Sequence, residues 1–453
     1  MREPRLVKDE GHLQVHERVA GIDVAKGSAA VCVRTPARPD CSQVWAEVPA
    51  TTGSVTELGK MLLAQQVELV VLEATSDYWK IWFFVLEMLG LTVRLVDPRQ
   101  VRQLPGRPKT DKLDAQWLAR LAGWGMLRPC FVPPPAIRGL REFTRARTDL
   151  VRDRTRCWQR LEKLLEGALI KVSSVASTLN TKSVRDMIGA LIAGERDPQV
   201  LAGLARGPMK NKRDALAAAL DGLWQDYHGV LARQLLDQIA FLDQAITTLE
   251  DQITAAVAAI PAAWGADADG VTGPAAGRGP GAARLPAADR LAQIPGISVM
   301  LAMQIIGETG LDMTRFPTPG HLVSWAGLVP LANQSGPRPR RGKKNHGNTY
   351  LRGYLGQASV TAGRTATFLG ERYRRIKRRR SGAIAQTAVA RSILIIIWHL
   401  LADPAARYHD LGENYHASRI NTEKKIRNHL RQLRALGWTP PTQTSPQDTA
   451  PAA

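Results

Sequence analysis

Four acidic residues in the first third of the chain, Asp23, Glu73, Asp111 and Asp114, have the types and spacing of a divalent-metal site. Phosphodiester chemistry at neutral pH commonly uses two Mg²⁺ ions about 4 Å apart, one near the nucleophile and one near the leaving oxygen. Mg²⁺ is a hard ion that prefers carboxylate oxygens, so several carboxylates must converge from different elements. The four acids therefore predict metal-dependent phosphoryl transfer.

Single acids in these settings also have simpler explanations. Glu73 ends the apolar run VELVVLEA (67–74), where a charge is costly unless it is paired or metal-bound. Asp111 and Asp114 are three residues apart at the start of a predicted helix, so both side chains can point the same way. Carboxylates in a first turn also stabilise a helix N-terminus without any catalytic role. The four acids together, on different elements, favour the metal site.

The elements that must position these acids are those of an α/β domain. Residues 18–34 contain two β runs joined by a Gly-containing turn, which predicts a hairpin that carries Asp23. The run at 67–74 does not alternate with polar residues, as is typical of a strand buried on both faces. Alternation of strands and helices predicts a central mixed sheet. The remaining predicted elements are a strand at 91–96 and helices near 54–65, 77–89 and 111–123.

Three short motifs contain the acids. They are GIDVAK (21–26), LEATSDYW (72–79) and KTDKLDAQWLA (109–119). These motifs resemble the RuvC-like, RNase H-fold domain of the DEDD transposases of bacterial insertion sequences, a family of RNA-guided serine recombinases. The resemblance implies that Asp23, Glu73, Asp111 and Asp114 bind Mg²⁺, with two ions in each site.

A serine in the C-terminal part is the second candidate for chemistry. Ser335 and Gly336 are predicted to lie in a loop that is followed by a basic stretch. A loop serine is ordinarily a turn residue, and no neighbouring His or Asp offers a general base. However, AGLVP (326–330), QSG, HGN and LR resemble the transposase-specific domain of the same family. The resemblance implies that Ser335 forms a covalent phosphoserine link to DNA, with the acids supplying activation and charge stabilisation.

The segment LAQIPGISVMLAMQIIGETG (291–310) is predicted to form two helices around a Pro-Gly turn. It resembles a helix-hairpin-helix, in which backbone N–H groups at the turn bind a phosphate of the DNA. Contacts of this kind orient DNA without reading its sequence. The alternative is an ordinary helical hairpin, and both interpretations predict an all-α C-terminal domain.

The chain is strongly basic, with 61 Lys and Arg against 41 Asp and Glu, a net charge of +20. Such an excess favours a polyanionic partner, most commonly nucleic acid, over solubility or attraction to a membrane surface. Seven of the nine residues at 372–380 are Lys or Arg, which predicts phosphate contact. The residues predicted to bind nucleic acid are Arg338, Arg340, Arg341, Lys343, Lys344, Arg352, Arg372, Arg374, Arg375, Lys377, Arg378, Arg379 and Arg380.

A chain of 453 residues is expected to form two or three domains. The Pro-rich segment 129–135 predicts the first boundary. Residues 261–287 are rich in Gly, Ala and Pro and predict a flexible linker. The predicted parts are a basic tail (1–18), a RuvC-like domain (19–130), a helical arm (136–260), the linker, a C-terminal transposase domain (288–403), and a basic helix with a disordered tail (404–453).

The arm is predicted to contain two long helices, at 137–170 and at about 213–260. Apolar residues between Leu235 and Ile260 alternate by four and three, with Ile at one core position and mostly Leu at the other. This heptad pattern favours a two-stranded coiled coil between two copies of the chain. An intramolecular hairpin against 137–170 explains the pattern equally well.

Cysteine usage and hydrophobicity indicate a cytoplasmic protein. The four cysteines form no CxxC pair, and the N-terminus has no apolar segment typical of a secretory signal. The apolar stretch 393–401 is shorter than a membrane span and predicts a buried helix.

The function that these features predict is excision and insertion of a mobile element by site-specific recombination. The resemblance implies a structured guide RNA that pairs with donor and target DNA, and dimers that assemble into tetramers. Two other functions are compatible with parts of the sequence. A Mg²⁺-dependent junction resolvase or nuclease would need only the acids, and a non-catalytic nucleic-acid-binding protein would need only the basic surface.

Overall fold

A computed structural model of the chain describes residues 5–8, 15–36, 41–103, 111–264, 285–329, 332–333, 340–341, 347–419 and 421–438. The chain divides into two compact units, Met1–Val132 and Pro133–Ala453. The division falls within the Pro-rich segment 129–135. Each unit has a hydrophobic core of its own.

The described part of the first unit contains a mixed sheet. Its strands are β1 (Arg5–Lys8), β2 (Val19–Val24), β3 (Ser28–Arg34), β4 (Cys41–Pro49), β5 (Leu69–Glu73) and β6 (Val93–Val96). Their spatial order is β1-β4-β3-β2-β5-β6. The first four strands in this order are antiparallel, whereas β5 is parallel to β2 and β6 is parallel to β5. The predicted mixed sheet is confirmed, and this order is the one expected of an RNase H-like domain.

Two strands were not predicted from the sequence. β4 pairs with β3, and β1 pairs with β4 at the edge of the sheet. Part of the segment 1–18, expected to be a tail, is therefore a strand of the sheet. An edge strand of four residues has little hydrophobic pattern of its own, because its conformation depends on the partner strand.

Helices cover both faces of this sheet. They are α1 (Thr52–Ala64), α2 (Trp79–Met88), α3 (Pro98–Gln103) and α4 (Asp111–Gly123). One face packs on α1 and α2 through a cluster that includes Leu58 and Trp82. The other face packs on α4 through a cluster that includes Leu118 and Leu121. The strands between the two layers are buried on both faces, as the unbroken apolar run at 67–74 predicts.

The second unit begins with a helical arm. Its helices are α5 (Pro135–Gly167), α6 (Lys182–Ile192), α7 (Pro198–Gly203), α8 (Arg213–Leu220) and α9 (Asp226–Ala258). The prediction of one helix over 213–260 is wrong, because the chain turns between α8 and α9. At this turn a Cβ on Gly222 would lie 2.6 Å from the carbonyl oxygen of Ala168. The close approach of two backbones ends α8.

The heptad seam of α9 faces α5 of the same chain. Ile239, Ile246 and Ile253 are buried, and α5 and α9 pack along each other. Ion pairs of Arg154 with Asp243 and of Arg147 with Glu250 add to this contact. Of the two interpretations of the heptad, the structure contains the intramolecular hairpin.

The rest of the second unit is mostly helical. It contains α10 (Ala287–Ala292), α11 (Val299–Thr309), α12 (Pro319–Trp325), β7 (Ala332–Asn333), β8 (Arg340–Arg341), α13 (Thr349–Ala362), α14 (Phe368–Arg379), α15 (Gly382–Ala402), α16 (Tyr415–Ser418) and α17 (Thr422–Ala435). Residues 265–284 of the predicted linker lie outside the described residues. The basic run 372–380, expected between two helices, is mostly the C-terminal part of α14 itself.

Among the described helices, α15 alone is long and apolar enough to cross a membrane by length and composition. The apolar stretch 393–401 is only part of this helix, which has 21 residues. Val389, Ile393, Leu394 and Ile397 are nevertheless buried, and α12, α13 and α14 pack on the helix. The helix lies in the C-terminal core, in agreement with the prediction that the stretch 393–401 belongs to a buried helix.

Candidate active site

Asp23 and Glu73 lie at the C-terminal ends of two neighbouring strands, β2 and β5. β2 and β5 are parallel, and Ile22 is paired with Leu72, so Asp23 and Glu73 are the next residues of the two strands. Neighbouring strands lie about 4.8 Å apart, and paired residues point to the same face. Across their other neighbours, Asp23 is paired with Ala30 and Glu73 with Val96. Ala30 and Val96 both belong to the cluster under α4, so both acids lie on the α4 face.

α4 runs antiparallel to β2 across this face. A Cβ on Gly123 would lie 3.9 Å from Val19, and a Cβ on Gly21 would lie 2.4 Å from the carbonyl oxygen of Ala115. Only glycine at position 21 allows the helix to approach the strand so closely. The sequence motif GIDVAK contains this glycine, but the pattern alone did not indicate its role.

This packing fixes the level of the N-terminal turn of α4. Asp111 precedes Ala115 by one helical turn, about 6 Å along the axis. Asp23 follows Gly21 by two residues, about 6.6 Å along the strand. The first turn of α4, which carries Asp111 and Asp114, therefore lies at the level of Asp23. The fold therefore places the elements that carry all four predicted acids at the same end of β2 and β5, on the face covered by α4.

The acids differ in burial. Glu73 is only 4% exposed, whereas Asp23 and Asp114 are half-buried. The side chain of Asp111 lies outside the described residues. Among the side chains that the structure describes, no group of three or more His, Cys, Asp or Glu could hold a metal ion. The chemistry of the donor set, carboxylate oxygens on one face with one carboxylate nearly buried, nevertheless fits a hard divalent ion.

Ser335 lies outside the described residues, but the two ends of its loop are described. The chain leaves the core at Gly327 and Leu328 and returns at Gly347 and Asn348. A Cβ on Gly347 would lie 2.2 Å from the carbonyl oxygen of Ala326, so the two ends are in backbone contact. Asn348 caps α13 by accepting a hydrogen bond from the N–H of Leu351 at 3.0 Å.

A buried carboxylate holds the returning end of this loop. Glu308, in α11, has no exposed surface. The Arg145 guanidinium donates to its two carboxylate oxygens at 2.7 and 2.9 Å, and the Asn348 amide donates to Oε2 at 2.6 Å. A buried charge is stable only when it is paired and hydrogen-bonded in this way. The sequence motifs GETG and HGN contain two of these residues, yet neither was predicted to pair.

A second arginine of α5 completes the network. Arg141 donates to the carbonyl oxygens of Gly307 and Glu308 at 2.9 and 2.7 Å. Burial lowers the pKa of Arg141 to about 10, and nearby Glu308 opposes this effect. Tyr350, two residues after Asn348, lies under the Arg145 guanidinium at 4.8 Å. α5, α11 and the loop end thus share one polar core.

The segment 291–310, predicted to be a helix-hairpin-helix or an ordinary helical hairpin, contains the end of α10, a turn and α11. Gly296 has φ of +90°, and a Cβ there would lie 2.4 Å from the carbonyl oxygen of Ala358. Ser298 caps α11 by accepting a hydrogen bond from the N–H of Leu301. A groove of about 520 Å³ beside this turn is lined by residues that include Ser298, Gln304 and Arg147. Phosphate binding at this turn stays a prediction.

The predicted nucleic-acid-binding residues are distributed over three places. Arg338, Lys343 and Lys344 lie outside the described residues. Arg340 and Arg341 form β8, whose side chains are not described, and Arg352 lies on α13. The remaining residues lie on or directly after α14, and they are Arg372, Arg374, Arg375, Lys377, Arg378, Arg379 and Arg380.

Comparisons with known proteins agree on one family. A family model for the DEDD transposases of IS110 elements, described as "Transposase", matches residues 20–170. A second, described as "Transposase IS116/IS110/IS902 family", matches residues 288–374. The two matches cover more than half of the chain, and they contain all four acids and Ser335.

Two individual proteins give the same assignment. A "Probable family 20 transposase" of Pseudomonas aeruginosa is 27% identical over 343 residues, which cover 74% of this chain and 84% of that protein. A protein of Sinorhizobium fredii, also named as a transposase, is 30% identical over 136 residues, which cover 30% of this chain and 35% of that protein. The solved structure titled "Thermus thermophilus RuvC structure" is 16% identical with a TM-score of 0.20, and the match covers 25% of this chain and 99% of that one. The chain belongs to the IS110 family of transposases and is an enzyme that cuts and rejoins DNA.

Proposed function

We propose that this transposase is a site-specific recombinase. Ser335 is its nucleophile, and the Mg²⁺-binding acids assist the attack of Ser335. The observation that carries the proposal is the adjacent position of Asp23 and Glu73 at the ends of β2 and β5, level with the first turn of α4. A carboxylate as deeply buried as Glu73 is costly without a cation nearby. Divalent-metal phosphoryl transfer is the reaction class that uses such a set.

Asp23, Glu73, Asp111 and Asp114 would hold the metal. Bound Mg²⁺ supplies Lewis-acid stabilisation of the negative charge that develops on the phosphate oxygens. The protein contributes the rigid placement of the carboxylates, because β2 and β5 are central strands and α4 is packed on Gly21. Rigid placement of charged groups before the reaction is a main source of catalysis.

The covalent step conserves the number of phosphodiester bonds. The Oγ of Ser335 attacks the scissile phosphorus, an O–P bond to serine forms, and one P–O bond to deoxyribose breaks. The serine proton leaves to solvent or to a nearby base, and the departing deoxyribose oxygen takes up a proton. In the rejoining step a deoxyribose hydroxyl attacks the phosphoserine and releases Ser335. No external energy source is required, because each step is a transesterification.

Guide RNA and higher assembly belong to the same proposal. The net charge of +20 suits both DNA and a structured RNA. Sequence specificity would then lie mainly in base pairing between the RNA and the donor and target DNA. We also infer dimers that pair into tetramers, and a cytoplasmic location on DNA, from the family resemblance.

The test is covalent trapping of the protein on a labelled DNA substrate that carries the ends of the element, with cognate RNA and Mg²⁺ present. Wild type, Ser335→Ala and Asp23→Asn are compared under denaturing conditions, and binding is measured in parallel. We expect an adduct with wild type alone, and a loss of at least about 10³-fold for either variant, as is typical when an essential group is removed.

The outcomes separate the candidate functions. Strand cleavage that survives Ser335→Ala but not Asp23→Asn would indicate a metal-dependent nuclease that activates water. Binding without cleavage by any of the three proteins would indicate a nucleic-acid-binding protein. Chelation of divalent ions with excess EDTA is expected to abolish the adduct of wild type, and recovery on addition of Mg²⁺ is the control.

A further inference from the structure

We propose that Arg372 and Arg375 of α14, together with Arg391 of α15, form a binding site for a backbone phosphate of duplex DNA, with His416 of α16 at its border. This inference deepens the proposed function, because it assigns DNA contact to particular side chains. It does not depend on the identity of the nucleophile.

Two arginines of α14 are already neutralised by the protein. Arg374 donates to the carbonyl oxygen of Thr365 at 2.9 Å and pairs with Glu371 at 3.5 Å and with Glu413 at 3.8 Å. Arg378 pairs with Glu371 at 3.2 Å. Both guanidinium groups therefore have acceptors within the protein and do not require an external anion.

Arg372 and Arg375 are in a different situation. The Nε atom of each is buried and has no hydrogen-bond partner among the described residues. They are three residues apart, so they lie on the same side of the helix. A buried N–H group without an acceptor costs about 1–3 kcal/mol, and more when the group is charged. The Nε–H group of each arginine thus lacks an acceptor among the described residues, and a phosphate oxygen is an acceptor of the matching charge.

The neighbouring charges that act on Arg372 are positive. Burial lowers the pKa of Arg372 first, and the charges of Arg375 and Arg391 lower it further. The nearest polar neighbour of Arg375 is His416, whose Nε2 lies 3.4 Å from its Nη2. A protein that carries such uncompensated like charges loses stability, and sites of this kind are retained where a ligand needs them. Neighbouring guanidinium groups suit a phosphate, because each can donate to its oxygens.

His416 makes the site sensitive to pH. Burial lowers the pKa of His416, Arg375 and Arg372 lower it further, and Glu371 opposes them. Its other neighbours are aromatic, with the Phe368 ring at 5.0 Å and Tyr415 at 5.6 Å. A bound phosphate would cancel the repulsion from the two arginines and raise the pKa of His416. DNA binding is then coupled to proton uptake, so affinity should rise as the pH falls through the pKa of the complex.

The experiment measures how the full-length protein binds a fluorescent duplex of mixed sequence at several salt concentrations. The test variant is Arg372→Gln with Arg375→Gln. The control is Arg315→Gln, which removes a charge from the same unit at a side chain that is 69% exposed and paired with Asp312. We expect the test variant to lose roughly tenfold in affinity per guanidinium at 0.1 M salt, and the slope of log affinity against log salt to fall by about 1.8. The control should change the slope by less than about 0.5.

A stability measurement separates binding from a structural role. Removal of uncompensated like charges should leave the melting temperature of the test variant unchanged or higher. A lower melting temperature with an unchanged salt slope would overturn the proposal. An equal slope change in Arg315→Gln would also overturn it, because the net charge of the unit would then be responsible.

Two further readouts identify the ligand. In wild type the affinity for the duplex should rise from pH 8 to pH 6, and His416→Gln should abolish most of that rise. If the test variant changes the salt slope for an RNA duplex but not for a DNA duplex, the assignment to DNA is wrong. Loss of the serine adduct in Ser335→Ala tests the proposed function separately, because that variant keeps Arg372, Arg375 and their salt slope.

Discussion

At the residue scale, the polar core around Glu308 is the feature most directly open to test. Its carboxylate joins an arginine of the arm to the asparagine that begins α13. The loop that carries Ser335 returns to the core at this asparagine. We therefore expect Glu308 and Asn348 to act as positioning residues for the loop, without contact to the substrate.

Glu308→Ala leaves the guanidinium groups of Arg141 and Arg145 beside an empty space. Breaking a buried ion pair by removal of one partner typically costs about 3–5 kcal/mol, so we expect a loss of that size in the free energy of unfolding. The measurement is urea unfolding of the second unit followed by circular dichroism. Glu162→Ala, at an exposed site of α5, should change stability by less than about 0.5 kcal/mol. Equal stability of the two variants would contradict the role assigned to Glu308.

Two substitutions of Asn348 separate the helix cap from the contact with Glu308. Asn348→Ser keeps a side-chain acceptor for the N–H of Leu351 and loses only the donor to Glu308. Asn348→Asp also keeps the cap but places a second carboxylate beside Glu308. The neighbouring charge raises the folded-state pKa of the new aspartate above its unfolded value. Its stability contribution is then present at low pH and is lost as the pH rises through the folded-state pKa.

The expected result is a free energy of unfolding for Asn348→Asp that declines relative to wild type as the pH rises from about 4 to about 7. Asn348→Ser should show a smaller and pH-independent loss. If both variants match wild type over this range, the loop end does not depend on Glu308.

At the scale of elements, the packing of α4 on β2 decides whether the four acids can meet. Only glycine fits at position 21 of β2, because the backbone of α4 occupies the space that a Cβ would need. The helix and the strand are more than ninety residues apart in sequence, yet their contact sets the level of Asp111 and Asp114 relative to Asp23.

Gly21→Ala tests this packing. The added methyl group would push α4 away from the sheet, and overpacking of this kind typically costs about 1–3 kcal/mol in the free energy of unfolding. We also expect adduct formation to fall at a temperature where the variant is still folded, because the acids of α4 are displaced. Gly27→Ala, where a Cβ would meet nothing within 4 Å, is the matched control and should keep both properties. Full activity in a destabilised Gly21→Ala would show that α4 need not be in this position.

At the scale of the whole molecule, the chain consists of two compact units with separate cores. The acids belong to the first unit, and Ser335 belongs to the second. A covalent reaction that uses both must therefore combine groups from two units, in one chain or in two copies of it. The first family match, at residues 20–170, extends from the first unit into α5, whereas the second, at residues 288–374, lies within the second unit.

The first unit is expected to fold alone. Its six-stranded sheet and its helices on both faces lie within residues 1–132. We expect a fragment of these residues to unfold cooperatively, and to be stabilised by Mn²⁺ or Mg²⁺ through mass action. The measurement is thermal unfolding with and without the ion, with Asp23→Asn as the control that should lose the stabilisation. A fragment that folds but gains nothing from either ion would argue against the metal site.

Local patterns in the sequence were sufficient for most elements and for the choice of acids. The hairpin at 18–34, the buried strand at 67–74 and the helix at 111–123 follow from hydrophobic periodicity and turn residues, which act over a few residues. The four acids could be identified because metal chemistry restricts residue types, and because the short motifs around them are those of a known family. The family was thus predictable before any contact was known.

Only the tertiary structure decided which of these residues are neighbours. The pairing of β2 with β5 places Asp23 beside Glu73, although fifty residues separate them, and no local pattern encodes that register. The break before α9, the strand β1 and the intramolecular partner of the heptad likewise depend on surfaces contributed from elsewhere in the chain. The same is true of the basic run in α14, where the positions of Glu371 and Glu413 determine which arginines are neutralised. The four acids can be recognised from residue type and local motif, whereas their convergence depends on long-range packing.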